Sequence, residues 1–118
     1  MTETPVSFMF RAFSDVMRLR ILHLLSAGEL CVGDLVKVLK APQPTVSRHL
    51  AYLRRSRLVV TRRNGLWNYY QLAPAKSAFH RDLLTCLRSC GSAVPKVAQD
   101  GNRLKSIQRT GGCCPNGS

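Results

Sequence analysis

Apolar positions recur at helical spacing in the middle of the chain, where Val46, Leu50 and Leu53 fall at i, i+4 and i+7. These side chains predict a buried stripe along one face of a helix. Pro42 and Pro44 stand at its start, and proline is tolerated in a first helical turn because the N–H that it lacks has no partner there. The opposite face is polar and carries Gln43, Thr45, Ser47, Arg48, His49 and Tyr52.

Two further apolar patterns predict helices near the N-terminus. Residues 6–13 hold more apolar side chains than one face of a short helix can hide. This excess favours burial against a second protomer, and packing in the core of the same chain is the alternative. Ser14 or Asp15 caps the next helix, which ends at Gly28 because glycine adopts the left-handed conformation of helix ends at little cost.

A third helix is predicted over about residues 31–39, directly before the polar and cationic helix. Two short helices joined by a tight turn, here at residues 41–43, match the helix-turn-helix unit. In that unit the second helix enters the major groove, where hydroxyls, amides and arginine reach base edges and phosphates. An ordinary solvated helix face is the alternative for any single polar stripe.

Residues 58–72 predict a β-hairpin, because Asn64 and Gly65 stand between two β-favouring runs. Arg62 and Arg63 precede its tip, which favours a wing that contacts the phosphate backbone, although a small hairpin also needs charge to stay soluble. From the helix and the wing together we expect DNA contacts by Gln43, Thr45, Ser47, Arg48, His49, Tyr52, Arg54, Arg62, Arg63 and Asn64.

Pro74 opens a last long helix over about residues 75–90, whose apolar stripe makes it, with the first helix, a candidate dimer interface. Glycine is frequent from Gly91 onward, which predicts a flexible tail. We therefore expect a DNA-binding and dimerisation domain over residues 1–90 and a flexible C-terminal tail over residues 91–118. The expected fold class is α+β, mostly α: a homodimeric winged helix-turn-helix with about five helices and a β-hairpin wing.

The charge of the chain favours a polyanionic partner. Eighteen Lys and Arg against six Asp and Glu give the 118 residues a formal charge of +12 and a pI near 10.4. Residues 40–65 contain seven basic side chains and no acidic one, which favours DNA over an acidic membrane surface. The chain shows no secretory signal and no apolar run near the ~20 residues of a membrane span, so we expect a cytoplasmic protein without membrane association.

Three motifs in this order resemble the ArsR/SmtB family of winged-helix repressors. They are residues 12–22 in the second helix, 43–50 in the recognition helix and 62–70 in the wing, and the resemblance covers about residues 8–90. It implies a homodimer that binds double-stranded operator DNA as a repressor and releases it when a metal or metalloid binds.

The resemblance also points to residues 29–35, which read Glu-Leu-Cys-Val-Gly-Asp-Leu. In arsenic-responsive members of the family, a second cysteine stands where this chain has Gly33, and both cysteines bind the metalloid. Cys31 alone cannot supply this two-thiolate anchor, so we expect the effector site elsewhere. The zinc-responsive branch uses Asp, His and Glu ligands on the last helix, and the spacing of His80 and Asp82 does not match that set.

The remaining cysteines are candidate ligands of trivalent arsenic or antimony, since soft thiolates select soft ions. Cys113 and Cys114 are adjacent, which hinders a mutual disulfide but allows both sulfurs to chelate one large ion; a chance pair in a disordered tail is the alternative. Cys90 is the expected third ligand. Cys86, one helical turn away, comes second, although a buried core role fits it equally well, and Cys31 comes last.

The expected function is metalloid-responsive transcriptional repression, with release of operator DNA when inorganic or methylated As(III) or Sb(III) binds cysteine thiolates and with no organic cofactor. One alternative is a thiol redox sensor in which Cys86 or Cys90 forms a reversible disulfide with the tail. Another is a constitutive architectural DNA-binding protein. A thiol enzyme such as an arsenate reductase is disfavoured, because no arginine of a phosphate-cradling loop stands six positions after Cys31, Cys86 or Cys90.

Overall fold

The computed structural model describes residues 5–89 and 93–111. Within them the helices are α1 (Pro5–Phe13), α2 (Val16–Leu25), α3 (Val32–Leu39), α4 (Gln43–Arg55), α5 (Ala78–Leu87) and α6 (Pro95–Arg109). The strands are β1 (Leu30–Cys31), β2 (Val59–Asn64) and β3 (Trp67–Leu72), and they form one antiparallel sheet in the order β1-β3-β2. The predicted winged helix-turn-helix is confirmed.

The start of α2 is fixed by Asp15 rather than by Ser14. The Asp15 carboxylate accepts a hydrogen bond from the Arg18 N–H at 3.0 Å, which satisfies one of the donors left open at a helix N-terminus. The Ser14 hydroxyl instead donates to the Arg11 carbonyl. The helix ends at Leu25, earlier than predicted, and Gly28 follows with a φ of +147°.

The helix-turn-helix unit consists of α3, a short turn and α4. Lys40 ends α3 in the left-handed conformation, with a φ of 52°, and its N–H donates to the Val36 carbonyl at 2.9 Å. Pro42 is the N-cap of α4 and Pro44 lies in its first turn, as predicted. The predicted inward face is confirmed, because the side chains of Val46, Leu50 and Leu53 are buried.

The predicted hairpin is confirmed, with Asn64 paired to Trp67 across a turn in which Gly65 has a φ of +63°. A short additional strand, β1, pairs with β3 on the side away from β2, with Leu30 opposite Tyr70. This third strand attaches the wing to the segment between α2 and α3. Two residues carry too weak a pattern to be predicted as a strand.

Residues 95–109 were predicted to belong to a flexible tail, but they form helix α6 and pack against α2 and α3. Its buried positions are Val97, Asp100 and Leu104. A charged residue in the middle of the buried face interrupts the apolar pattern that predicts a helix. The predicted last helix is also shorter than expected, since α5 ends at Leu87.

The core lies between α2, α3, α4 and the base of the wing. Its most completely buried large side chains are Ile21, Leu22, Leu24, Leu35, Leu50, Leu53, Leu58 and Leu87. None of the helices in the described ranges is long and apolar enough to cross a lipid bilayer.

Candidate nucleic-acid interface

The outer face of α4 exposes Gln43, Arg48 and Arg54, whereas Thr45, Ser47 and His49 are half-buried. No acidic residue lies on this helix. The α4 surface continues into the wing, because Ala51, Arg54 and Arg55 share one shallow groove with Val59, Val60 and Thr61 of β2. Helix and wing therefore form one cationic surface that is suited to a polyanion.

The predicted DNA-binding residue Tyr52 lies at a junction of helices. Its ring centroid is 5.0 Å from the ring of Phe8 in α1 and 4.1 Å from the guanidinium carbon of Arg18 in α2. The guanidinium carbon of Arg55 lies 5.6 Å from the same centroid. The half-buried Tyr52 ring thus helps to hold α4 against α1 and α2 through aromatic and cation–π contacts.

Burial lowers the pKa of His49, an effect that the carboxylate of Asp15 opposes and that Arg18 and Arg48 reinforce. The imidazole is therefore neutral at physiological pH and offers one N–H donor and one acceptor. A neutral ring at this position contributes hydrogen bonding rather than charge to the α4 surface.

The two wing arginines differ in their surroundings. Arg62 forms a bidentate ion pair with Glu29, with Nε–Oε2 and Nη2–Oε1 distances of 3.0 and 2.6 Å, and it lies 4.8 Å from the centroid of the Tyr69 ring. The hydrogen bonds from Arg62 hold the pKa of the Glu29 carboxyl below its usual value. Arg62 thereby braces the wing against the segment before β1.

Arg63 and Asn64 are exposed at the tip of the wing, where the Arg63 Nε donates to the Gly65 carbonyl at 3.1 Å. Two apolar side chains that were not predicted as DNA contacts also lie at this tip: Leu66 is 91% exposed and Trp67 is 39% exposed. Their position beside the predicted hairpin turn was the sequence feature that indicated their exposure. The tip therefore presents cationic, amide and apolar groups together.

Of the five cysteines predicted as candidate effector ligands, the structure describes Cys31 and Cys86. Cys90, Cys113 and Cys114 lie outside the described residues. Cys31 is buried and disulfide-bonded, and Cys86 is an exposed thiol on α5. Among residues 5–89 and 93–111, no three metal-ligating side chains come together.

His80 and Asp82 lie in different environments on α5. His80 is buried, its Nδ1 accepts a hydrogen bond from the Lys76 N–H at 3.3 Å, and burial lowers its pKa. Asp82 is exposed. The helix therefore does not bring these two side chains to one metal site.

The predicted dimer surfaces, α1 and α5, adjoin each other. The ring of Phe10 in α1 meets the ring of Phe79 in α5 edge to face, with centroids 5.2 Å apart. Phe10 is nevertheless 55% exposed, and Val6 and Val16 are 46% and 52% exposed. Val6 and Phe10 lie about one helical turn apart on α1, and with Phe79 they form an apolar patch across α1 and α5.

Known proteins are similar to this chain in sequence and in architecture. Residues 15–61 match the family model described as "Bacterial regulatory protein, arsR family". The arsenic resistance transcriptional regulator ArsR2 of Pseudomonas putida is 36% identical over 110 residues, which cover 89% of this chain and 94% of that protein. The arsenical resistance operon repressor of Escherichia coli is 49% identical over 67 residues, which cover 56% of this chain and 57% of that repressor.

A solved structure supports the same assignment. The homodimeric winged helix-turn-helix DNA-binding domain Mb0332 from Mycobacterium bovis superposes with a TM-score of 0.63 and 26% identity, over 78% of this chain and 80% of that domain. Proteins of this kind are transcriptional regulators and not enzymes. The near full-length match to ArsR2, together with the winged helix-turn-helix, shows that this chain belongs to the ArsR family of DNA-binding regulators.

Proposed function

We propose that the protein is a transcriptional repressor that binds operator DNA as a homodimer and releases it when As(III) or Sb(III) binds cysteine thiolates. The observation that carries this proposal is the cationic surface formed by α4 and the wing. Relatives named for arsenic and arsenical resistance support the class of effector.

In the proposed complex, α4 enters the major groove. Arg48 and Gln43 are the exposed side chains suited to base edges, because arginine binds guanine and glutamine binds adenine through paired hydrogen bonds. Arg54 and the wing-tip residues Arg63 and Asn64 contact phosphates, which position the protein without reading sequence.

The proposed dimer buries the apolar patch on α1 and α5. Burial of the exposed Val6 and Phe10 side chains against a second protomer stabilises the dimer, since burial of apolar surface contributes about 25 cal/mol per Å². The homodimeric Mycobacterium bovis domain supports such an assembly. Two protomers then present two α4 helices to successive major grooves.

The proposed effector site contains Cys113, Cys114 and a third thiolate, with Cys90 as the first choice. Cys86 is the second choice, and its exposed thiol lies near the end of α5, beside the proposed dimer surface. A bound ion held between residues 113–114 and this region favours a dimer geometry that no longer fits the operator. Such release requires that the ion bind the DNA-free state more tightly than the DNA-bound state.

Replacement of both Cys113 and Cys114 by serine tests this site. The DNA in this test is a duplex that the unmodified protein selects from a random library. Arsenite or antimonite should lower the affinity of the unmodified protein for this duplex by about 5- to 150-fold, the usual range of allosteric coupling. The double variant should bind the duplex equally well in the absence and presence of either ion. Fluorescence anisotropy titrations measure both quantities.

The Cys86→Ser variant is the matched control, because it removes one thiol and leaves the preferred ligand set intact. It should retain release by arsenite and antimonite. Continued release by the Cys113→Ser/Cys114→Ser protein would show that the tail cysteines are not the ligands. Zinc should not release the DNA in any of these proteins.

A second candidate function is thiol redox sensing, which the disulfide at Cys31 favours. Two thiols would lose two protons and two electrons to a peroxide, which is reduced to water, and the disulfide formed would change DNA affinity. Peroxide added to a chelator-treated protein that has first been reduced and is free of metalloid should then release the duplex, and Cys31→Ser should abolish that response. If peroxide has no effect on DNA binding, this second function is excluded.

A further inference from the structure

A groove of about 510 Å³ lies between α6 and the turn of the helix-turn-helix unit. Its lining contains four basic side chains and one carboxylate, so three positive charges are in excess: Arg20, Lys40, Lys96 and Arg103 surround Asp100. The groove exists because α6 packs on α2 and α3, and it was therefore not expected from the sequence.

Two of the basic residues form the base of the groove. Arg20 donates to the Asp100 carboxylate from Nε at 2.7 Å and from Nη2 at 3.0 Å, and it also reaches the Leu39 carbonyl at 3.4 Å. Arg103 donates to the Val38 carbonyl at 2.5 Å. The last carbonyls of a helix lack partners within it, so these contacts hold α6 against the end of α3.

The other two basic residues, Lys40 and Lys96, indicate that the groove can bind a ligand. Lys40 and Lys96 are exposed, and within the described ranges no ion pair or side-chain hydrogen bond involves their ammonium groups. Pro42 and Thr45, from the start of α4, line the same groove. The groove therefore borders the end of α4 that begins the DNA-reading surface.

We propose that Lys40, Lys96 and Thr45 bind a phosphate of the DNA backbone, which makes α6 an additional DNA-binding element. This inference rests on the DNA-binding part of the proposed function and is independent of the effector. Ammonium and hydroxyl groups are typical donors to DNA phosphates, and a phosphodiester supplies the negative charge that the groove lacks. A strand bordering the major groove read by the first turn of α4 passes this groove.

The Lys96→Gln variant tests the proposal through the salt dependence of DNA binding. Each lost phosphate contact reduces the magnitude of the slope of log K against log salt by about 1. A homodimer that loses one contact per protomer should therefore show a slope that is smaller in magnitude by about 2. The affinity should fall by the same factor for the selected duplex and for a duplex with altered base pairs. Anisotropy titrations at several salt concentrations, without metalloid, provide these slopes.

The Lys105→Gln variant is the matched control. Lys105 is also exposed on α6, but it lies about two and a half turns after Lys96, on the opposite side, in the groove shared with His23 and Ala27 of the α2 end. Its slope should equal that of the unmodified protein. An unchanged slope for Lys96→Gln, or equal reductions in both variants, would overturn the proposal, whereas a failure of metalloid release would overturn only the proposed effector response.

Discussion

Helices α4 and α6 are similar in length but are held to the protein in different ways. The buried face of α4 consists of Val46, Leu50 and Leu53, whereas that of α6 places Asp100 between Val97 and Leu104. The buried face of α4 is held by apolar contacts. That of α6 combines two apolar residues with an ion pair between the Asp100 side chain, which is 2% exposed, and the Arg20 side chain, which is 11% exposed.

This difference determines how specific each attachment is. Apolar burial is non-directional, so α4 needs only a complementary shape to pack well. The Asp100 carboxylate requires the guanidinium of Arg20 at one position, because a buried charge without a partner costs several kcal/mol. The ion pair therefore sets the position of α6 along α2 and α3 and, with it, the geometry of the groove that contains Lys40 and Lys96.

The largest expected effect is at the apolar attachment. Leu50→Ala should lower the free energy of unfolding by about 3 kcal/mol, because the change removes buried methyl groups and leaves a cavity. Urea unfolding followed by circular dichroism measures it. Leu66→Ala is the matched control: that leucine is 91% exposed, and the same substitution should change stability by less than ~0.5 kcal/mol.

The polar attachment should show a somewhat smaller effect. Asp100→Asn should lower the free energy of unfolding by about 2 kcal/mol, since the Arg20 guanidinium loses its carboxylate while one amide oxygen still accepts a hydrogen bond. The same urea titration applies. Asp82→Asn removes an exposed carboxylate and should have little effect. Equal stability of the two Asn variants would show that the ion pair does not hold α6.

The exposed ion pair of the wing should have the smallest effect on stability. Glu29→Gln breaks the contact with Arg62, whose side chain is 39% exposed, and solvent screens such pairs. Because the folded-state pKa of Glu29 is lowered, its contribution is present above the ordinary glutamic acid pKa and disappears as pH falls through the folded value. Unfolding curves of variant and unmodified protein should therefore differ at pH 7, and this difference should shrink as the pH falls below the ordinary pKa of glutamic acid.

The same variant has a functional readout. Loss of the Glu29 carboxylate removes a negative charge near the wing and leaves Arg62 available to a phosphate. Affinity for the selected duplex should rise, and the salt slope should become steeper. A weaker DNA affinity in Glu29→Gln would show that the ion pair instead holds the wing in its DNA-binding position.

Local patterns were sufficient for the central part of the molecule. The stripe of Val46, Leu50 and Leu53, the prolines before it and the Asn64–Gly65 turn each report on a few neighbouring residues. Interactions of this range depend on helical spacing and turn chemistry, which are visible without the fold. The fold class and the cationic helix followed from them.

Long-range contacts could not be predicted from such local patterns. Glu29 and Arg62 are 33 positions apart, and Arg20 and Asp100 are 80 apart. Both arginines look available in the sequence, whereas in the structure each already has a carboxylate partner. Partner choice between charged side chains depends on distance in space, which sequence spacing does not determine.

The sequence by itself determined that a cationic helix-turn-helix is followed by a hairpin, because apolar periodicity and turn residues act locally. Only the tertiary structure decided that residues 95–109 are a helix and that this helix lies beside the turn between α3 and α4. The physical reason is the ion pair of Asp100: a buried carboxylate is stable only where folding brings a guanidinium to it.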